Sequence, residues 1–83
     1  MSYQVTIKPR AIKSLKKINN PYYSNIKVAI LDLGKNPRPD GCKKLKGRDA
    51  YRIRVANYRI IYEILDKELV VGVIDLGHRK NIY

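Results

Sequence analysis

The sequence predicts an α+β fold, a helical hairpin laid on one face of an antiparallel sheet. Three observations lead there: apolar residues recur at helical spacing before Gly34, the period changes to two after Cys42, and the intervening stretch 35–41 (KNPRPDG) holds two prolines and a glycine. At 83 residues the chain makes a single domain, residues 1–83, with one apolar core and no room for a second.

Residues Tyr3 to Ile7 alternate apolar and polar, with β-branched Val5, Thr6 and Ile7, as in a half-buried strand. Pro9 then suits the first position of a helix, where its missing N–H costs nothing. Ala11, Ile12, Leu15 and Ile18 fall on one face of that helix, while Lys13, Lys16 and Lys17 form a basic back. Asn19 and Asn20 break it, and Asn20 followed by Pro21 opens a second helix with an apolar stripe of Tyr23, Ile26, Ala29, Ile30 and Leu33. Gly34 stands where a left-handed helix terminator belongs, and the stretch 35–41 is the one expected hinge. A short segment from Cys42 to Lys46 then precedes three strands, Tyr51 to Val55, Tyr58 to Ile64 and Glu68 to Leu76. These form an antiparallel meander, and Gly77 to Tyr83 follow as a polar tail.

A register can be calculated for residues 51–62. If Ala56 and Asn57 form a two-residue hairpin loop, Val55 lies opposite Tyr58, Arg54 opposite Arg59, Ile53 opposite Ile60, Arg52 opposite Ile61 and Tyr51 opposite Tyr62. Directly opposed residues share a face. Tyr51, Ile53, Val55, Tyr58, Ile60 and Tyr62 therefore form a surface for the helices to cover, and Arg52, Arg54, Arg59 and Ile61 occupy the other side. Arg54 opposite Arg59 is a like-charge conflict that a bound anion relieves, and guanidinium groups grip phosphate oxygens bidentately.

Charge points to the same kind of ligand. The chain has 18 Lys plus Arg against 7 Asp plus Glu, a formal net charge of +11 that attracts polyanions. Lys43, Lys44, Lys46, Arg48 and Lys80 are candidates for contact with such a polyanion, and the tail holds His78, Arg79, Lys80 and Tyr83 within seven residues. Imidazole transfers protons near neutral pH, and tyrosine stacks on a base or hands on a proton. Other chemistries find no support. The single cysteine, Cys42, makes no internal disulfide, no Cys/His spacing suits zinc, and no carboxylate cluster or glycine-rich loop suits a metal-bound phosphate, so neither metal nor cofactor is expected. The longest apolar runs are too short to cross a bilayer, so the expectation is a soluble cytoplasmic protein with no membrane partner.

Three segments together carry a family resemblance: Lys44-Leu-Lys-Gly47, then Tyr51-Arg-Ile-Arg-Val-Ala-Asn-Tyr-Arg-Ile-Ile-Tyr-Glu-Ile64, then Val73-Ile-Asp-Leu-Gly-His-Arg-Lys-Asn-Ile-Tyr83. With the opening strand and helical hairpin, the chain resembles the RelE branch of the RelE/ParE toxin superfamily over nearly its whole length. The resemblance implies the toxin of a type II toxin–antitoxin pair, a metal-independent endoribonuclease that enters the ribosomal A site and cuts messenger RNA. In that reaction the ribose 2′-hydroxyl attacks the adjacent phosphorus. It implies catalytic roles for Arg52 and Arg54 on the central strand, Arg59 on the phosphate, Arg79 near the leaving group and Tyr83 in the tail; for the 2′-hydroxyl proton the sequence offers His78 or Tyr83, or a reaction that rests on positioning and charge. Well-studied members have lysines where Arg52 and Arg54 stand, and a guanidinium does not act as a general base near neutrality. The implied partners are a small acidic antitoxin, mRNA and ribosomal RNA, with DNA reached only through the antitoxin complex. Two further readings share the fold: a ParE-like toxin that poisons DNA gyrase without cutting RNA, and a non-catalytic RNA-binding module.

Overall fold

The computed structural model describes residues 2–78. Its elements run β1 (Gln4–Ile7), α1 (Pro9–Lys16), α2 (Tyr22–Asp32), β2 (Lys43–Lys44), β3 (Tyr51–Val55), β4 (Tyr58–Leu65) and β5 (Val70–His78). The five strands form one sheet in the order β1-β5-β4-β3-β2. Strands β2 to β5 make the expected antiparallel meander, but β1 pairs parallel to β5, so the sheet is mixed. Helix α1 packs on β5 and α2 on β3. Among the described residues no helix is long and apolar enough to cross a membrane.

The core lies between helices and sheet. Ile26, Ile30 and Leu33 of the second helical segment meet Ile60, Tyr62, Val71, Val73 and Leu76 of the sheet, all essentially inaccessible to solvent. Burying each such aliphatic side chain stabilises the fold by about 1.5–3 kcal/mol. On α1 the seam is Ala11 and Leu15, and Ile18, three residues on and just past the helix end, packs against the same core. Ile12, expected on that face, is largely exposed, because it lies about 100° around the helix from Ala11. The Asn20 carboxamide does cap α2: its Oδ1 accepts from the Ser24 N–H at 3.2 Å and from the Ser24 hydroxyl at 2.7 Å.

Gly34 departs from expectation. It is not in the left-handed region, where the described glycines are Gly41 and Gly47. A Cβ at Gly34 would meet the Tyr3 carbonyl oxygen at 2.8 Å and Val5 Cγ2 at 3.0 Å, so glycine is needed there to let β1 approach the end of α2. The last strand is also displaced from its expected span of Glu68 to Leu76. Residues 66–69 form the turn, with Leu69 at φ 54°, and β5 runs on through Gly77 and His78. A bulge separates two registers in it: Ile61 pairs with Asp75, but Tyr62 pairs with Val73, leaving Ile74 as the extra residue.

The stretch 35–41, expected to be a hinge, is pinned at its centre. The buried Tyr62 hydroxyl donates to the Pro37 carbonyl at 2.7 Å. Arg38 donates to Asp66 Oδ2 at 3.0 Å, lies over the Tyr51 ring at 5.4 Å, and shares Asp66 with the Tyr3 hydroxyl, which donates to Oδ1 at 2.6 Å. Hydrogen bonds from Arg38 and then Tyr3 hold the Asp66 carboxyl below its ordinary range, and the bond to Asp66 raises the Tyr3 phenol. Burial pushes the Tyr62 hydroxyl up as well, so it remains a protonated donor. Tyr51 stacks on Tyr62 at 5.9 Å, tying β3 into the same cluster. Tyr62→Phe therefore leaves the Pro37 carbonyl without its donor, and urea denaturation is expected to show a loss of about 1–3 kcal/mol with an unchanged m-value.

Candidate nucleic-acid interface

Strands β3 and β4 meet in the register calculated from the sequence, Tyr51 with Tyr62, Arg52 with Ile61, Ile53 with Ile60, Arg54 with Arg59 and Val55 with Tyr58. Ala56 carries the positive φ, 54°, that a primed two-residue turn requires of its first central residue. The helix-side face is apolar, and the opposite face carries the arginines. The neighbouring strands extend these rows. Lys43 pairs with Arg52, Arg52 with Ile61 and Ile61 with Asp75; in the next row Arg54 pairs with Arg59 and Arg59 with Gly77. Adjacent strands lie about 4.8 Å apart and same-face residues about 7 Å apart, so the Cα atoms of Lys43, Arg52, Arg54 and Arg59 fall within the span of one or two phosphodiester units.

Exposure grades across this patch. Arg54 is exposed, Arg52 and Arg59 are half-buried, and Ile61, beside Arg52 in the first row, is only 3% exposed although it stands outside the main core. The row of Arg54 and Arg59 continues to the half-buried Gly77, which has no side chain. A dense cationic surface with an apolar, rigid floor binds a flexible polyanion by charge and orients it by the fixed guanidinium forks.

The remaining sequence-predicted residues divide. Lys43 belongs to the arginine face, Lys44 pairs with Tyr51 on the other side, and Lys46 and Arg48 sit exposed in the turn after β2. His78 does not join the arginines. It pairs with Tyr58, and its ring meets the Tyr58 ring edge-on at 5.8 Å on the helix side of the sheet. The even spacing from Tyr58 to Tyr62 and the continuation of β5 through residue 78 put it there, whereas a tail beginning at Gly77 would have left it free to turn either way. Arg79, Lys80 and Tyr83 lie outside the described residues. Sequence reasoning assigned no role to Arg38 or Arg10; for Arg10 the signal was available as the spacing Arg10, Ser14, Lys17, a polar stripe at i, i+4, i+7.

A family model described as the ParE toxin of type II toxin–antitoxin systems matches residues 5–83. The chain belongs to this family of toxins. It is 30% identical over 83 residues to the mRNA interferase toxin RelE of Escherichia coli strain K12, an alignment covering 96% of this chain and 86% of that one. The fold agrees as well. The RelE–RelB complex from Pyrococcus horikoshii OT3 superposes with a TM-score of 0.86 at 29% identity, covering 98% of this chain and 99% of the other. The intact E. coli RelBE toxin–antitoxin complex gives a TM-score of 0.80 at 29% identity, over 93% of this chain and 96% of that one. The protein is thus a RelE-like toxin with an α+β fold of two helices on a five-stranded mixed sheet.

The opposition of Arg54 and Arg59 makes a prediction within this toxin fold. Arg54→Thr removes a like-charge pair and places a β-branched residue in a strand, so at low salt it is expected to stabilise the protein by about 0.2–1 kcal/mol in thermal or chemical denaturation. The same substitution is expected to weaken binding of single-stranded RNA.

Proposed function

We propose that this toxin is a ribosome-dependent, metal-independent mRNA endoribonuclease, inhibited by a small acidic antitoxin. The observation that carries the reading is the face shared by Arg52, Arg54, Arg59 and Lys43, opposite the helices. The name of the E. coli relative as an mRNA interferase supports it. In the reaction the 2′-oxygen forms a bond to phosphorus and loses its proton. The bond from phosphorus to the 5′-oxygen breaks, and that oxygen gains a proton. A cyclic phosphate and a 5′-hydroxyl result. Negative charge builds on the equatorial oxygens of the pentavalent transition state, where preorganised guanidinium groups stabilise it more than they stabilise the ground state.

Each sheet residue has a role in this scheme. Arg59 and Arg54, directly opposed, grip the reacting phosphate from two strands, and Arg52 with Lys43 holds the neighbouring phosphate. Arg79 and Tyr83 complete the site from the tail, as cation at the leaving oxygen and as stacking partner or proton carrier. His78, on the helix side, is left out of the chemistry. A guanidinium does not accept the 2′-proton near neutrality, so catalysis rests chiefly on position and charge. The antitoxin inhibits by laying carboxylates on the arginine face, and the similarity to toxins solved as RelE–RelB complexes supports an antitoxin partner.

Primer extension of cellular RNA after induction tests this. New 5′ ends are expected inside translated codons, absent from the same messages when translation is blocked, and lost in Arg59→Ala. Arg54→Lys, which supplies an amine at this position, is expected to keep or raise the cleavage. Growth arrest with DNA damage and no RNA ends would instead favour gyrase poisoning, and no phenotype would favour RNA binding without catalysis.

A further inference from the structure

The edge of β5 beside α1 carries a second polar opening, to which the helix side of the sheet contributes Tyr58 and His78 and the row of Arg52 and Ile61 contributes Asp75. Strand β1 ends with Ile7 opposite Val73, so among the described residues the outer edge of β5 from Asp75 to His78 has no strand beside it. Helix α1 runs along this edge instead. Between them lies a cavity of about 370 Å³ lined by Arg10, Ser14 and Lys17 of the helical side and by Tyr58, Asp75 and His78 of the sheet. Its volume falls in the range of ordinary small-ligand sites.

Its chemistry is specific. Arg10, Ser14 and Lys17 form one stripe, so two cations flank a hydroxyl along about 10 Å of helix. Asp75, the carboxylate in the cavity, is already engaged: Oδ2 pairs with Arg10 Nε at 3.4 Å, and Oδ1 accepts from the Leu76 N–H at 2.9 Å. That pairing fixes Arg10 by its inner nitrogen and leaves the terminal nitrogens in solvent, the side chain being 82% exposed. At the far end three rings form a chain, Tyr22 to Tyr58 at 5.7 Å and Tyr58 to His78 at 5.8 Å, with Tyr22 exposed at the surface. Cations beside an exposed aromatic cluster are the combination that binds single-stranded nucleic acid, phosphates on the charges and bases on the rings.

We propose that this notch is a second RNA-binding site, in which Arg10, Ser14 and Lys17 hold a backbone phosphodiester and Tyr58 with Tyr22 receives the adjoining base. The ligand class rests on the proposed function, but the site does not depend on cleavage. Two RNA-binding sites, one on the arginine face and one at the α1 edge of the sheet, let the toxin hold its substrate strand and a second RNA segment at once.

His78 is the only histidine in the chain, so its imidazole NMR signals report on this site without ambiguity. The experiment titrates a 2′-O-methyl octanucleotide, an uncleavable RNA, into the full-length toxin, into Arg54→Ala/Arg59→Ala and into Arg10→Ala/Lys17→Ala. The His78 signals are expected to shift in the first two and stay fixed in the third. The log–log salt slope of binding in the third is expected to fall by about 0.7 for the phosphate lost. Lys17→Glu, which keeps the pair between Arg10 and Asp75, is expected to remove the shift too, separating loss of binding from loss of structure. RNA binding that leaves His78 unmoved in the wild type, or a shift that disappears with the sheet arginines and survives Arg10→Ala/Lys17→Ala, would overturn the second site. Absence of mRNA cleavage in cells, with the His78 shift retained, would overturn only the nuclease reading.

Discussion

The two-residue turn at Ala56 and Asn57 decides which side of the sheet every residue of β3 and β4 faces. Side chains alternate along a strand, so a loop one residue longer would carry β3's apolar residues to solvent and its arginines into the core. The apolar set on the helix side, Ile53, Ile60 and Tyr62 with Tyr51, Val55 and Tyr58, is what holds this register. Burial of those residues outweighs the cross-strand repulsion of Arg54 and Arg59 many times over, since each buried aliphatic or aromatic contributes about 1.5–3 kcal/mol and an opposed like-charge pair costs about 0.2–1 kcal/mol. The fold thus tolerates two arginines directly opposed in its central strands.

The same core fixes the surroundings of that surface. Tyr62 reaches from β4 under the connection between α2 and β2 to hold the Pro37 carbonyl, and Arg38 closes over Tyr51 while bonding to Asp66. The long connection is thereby tied to β3, β4 and the turn before β5. The loop that delivers Lys43 to the arginine face starts from an anchored point, which matters under the proposed function, where catalysis rests on position more than on proton transfer. At the other edge Asp75 serves two structural ends at once, satisfying the Leu76 N–H where β1 has run out and holding Arg10 of α1 against the strand.

Much of this was legible in the residues. Alternation through YRIRVANYRIIY contained the hairpin and its register, because both strands have one clearly apolar face and the loop between is as short as a hairpin allows. The helices were legible from their stripes and from Asn20 and Pro21. What was not legible depends on contacts between distant segments. The parallel pairing of β1 with β5 and the close approach at Gly34 arise only when the ends of the chain meet, and no local pattern records that. The bulge at Ile74 is likewise invisible in a run of apolar residues such as LVVGVIDL, where either face looks acceptable. The placement of His78 followed from that extended strand, and the pinning of the 35–41 connection needed a tyrosine 25 residues away in sequence.

The central proposal is that the arginine face binds a polyanion and that Arg54 is among the groups that hold it. The most direct measurement is the thermal midpoint of the toxin with and without uncleavable RNA at one fixed ionic strength, compared with Arg54→Thr. Binding to the native state raises the midpoint according to affinity, and the account predicts a clearly larger rise in the wild type than in Arg54→Thr. Equal rises in the two proteins would contradict it.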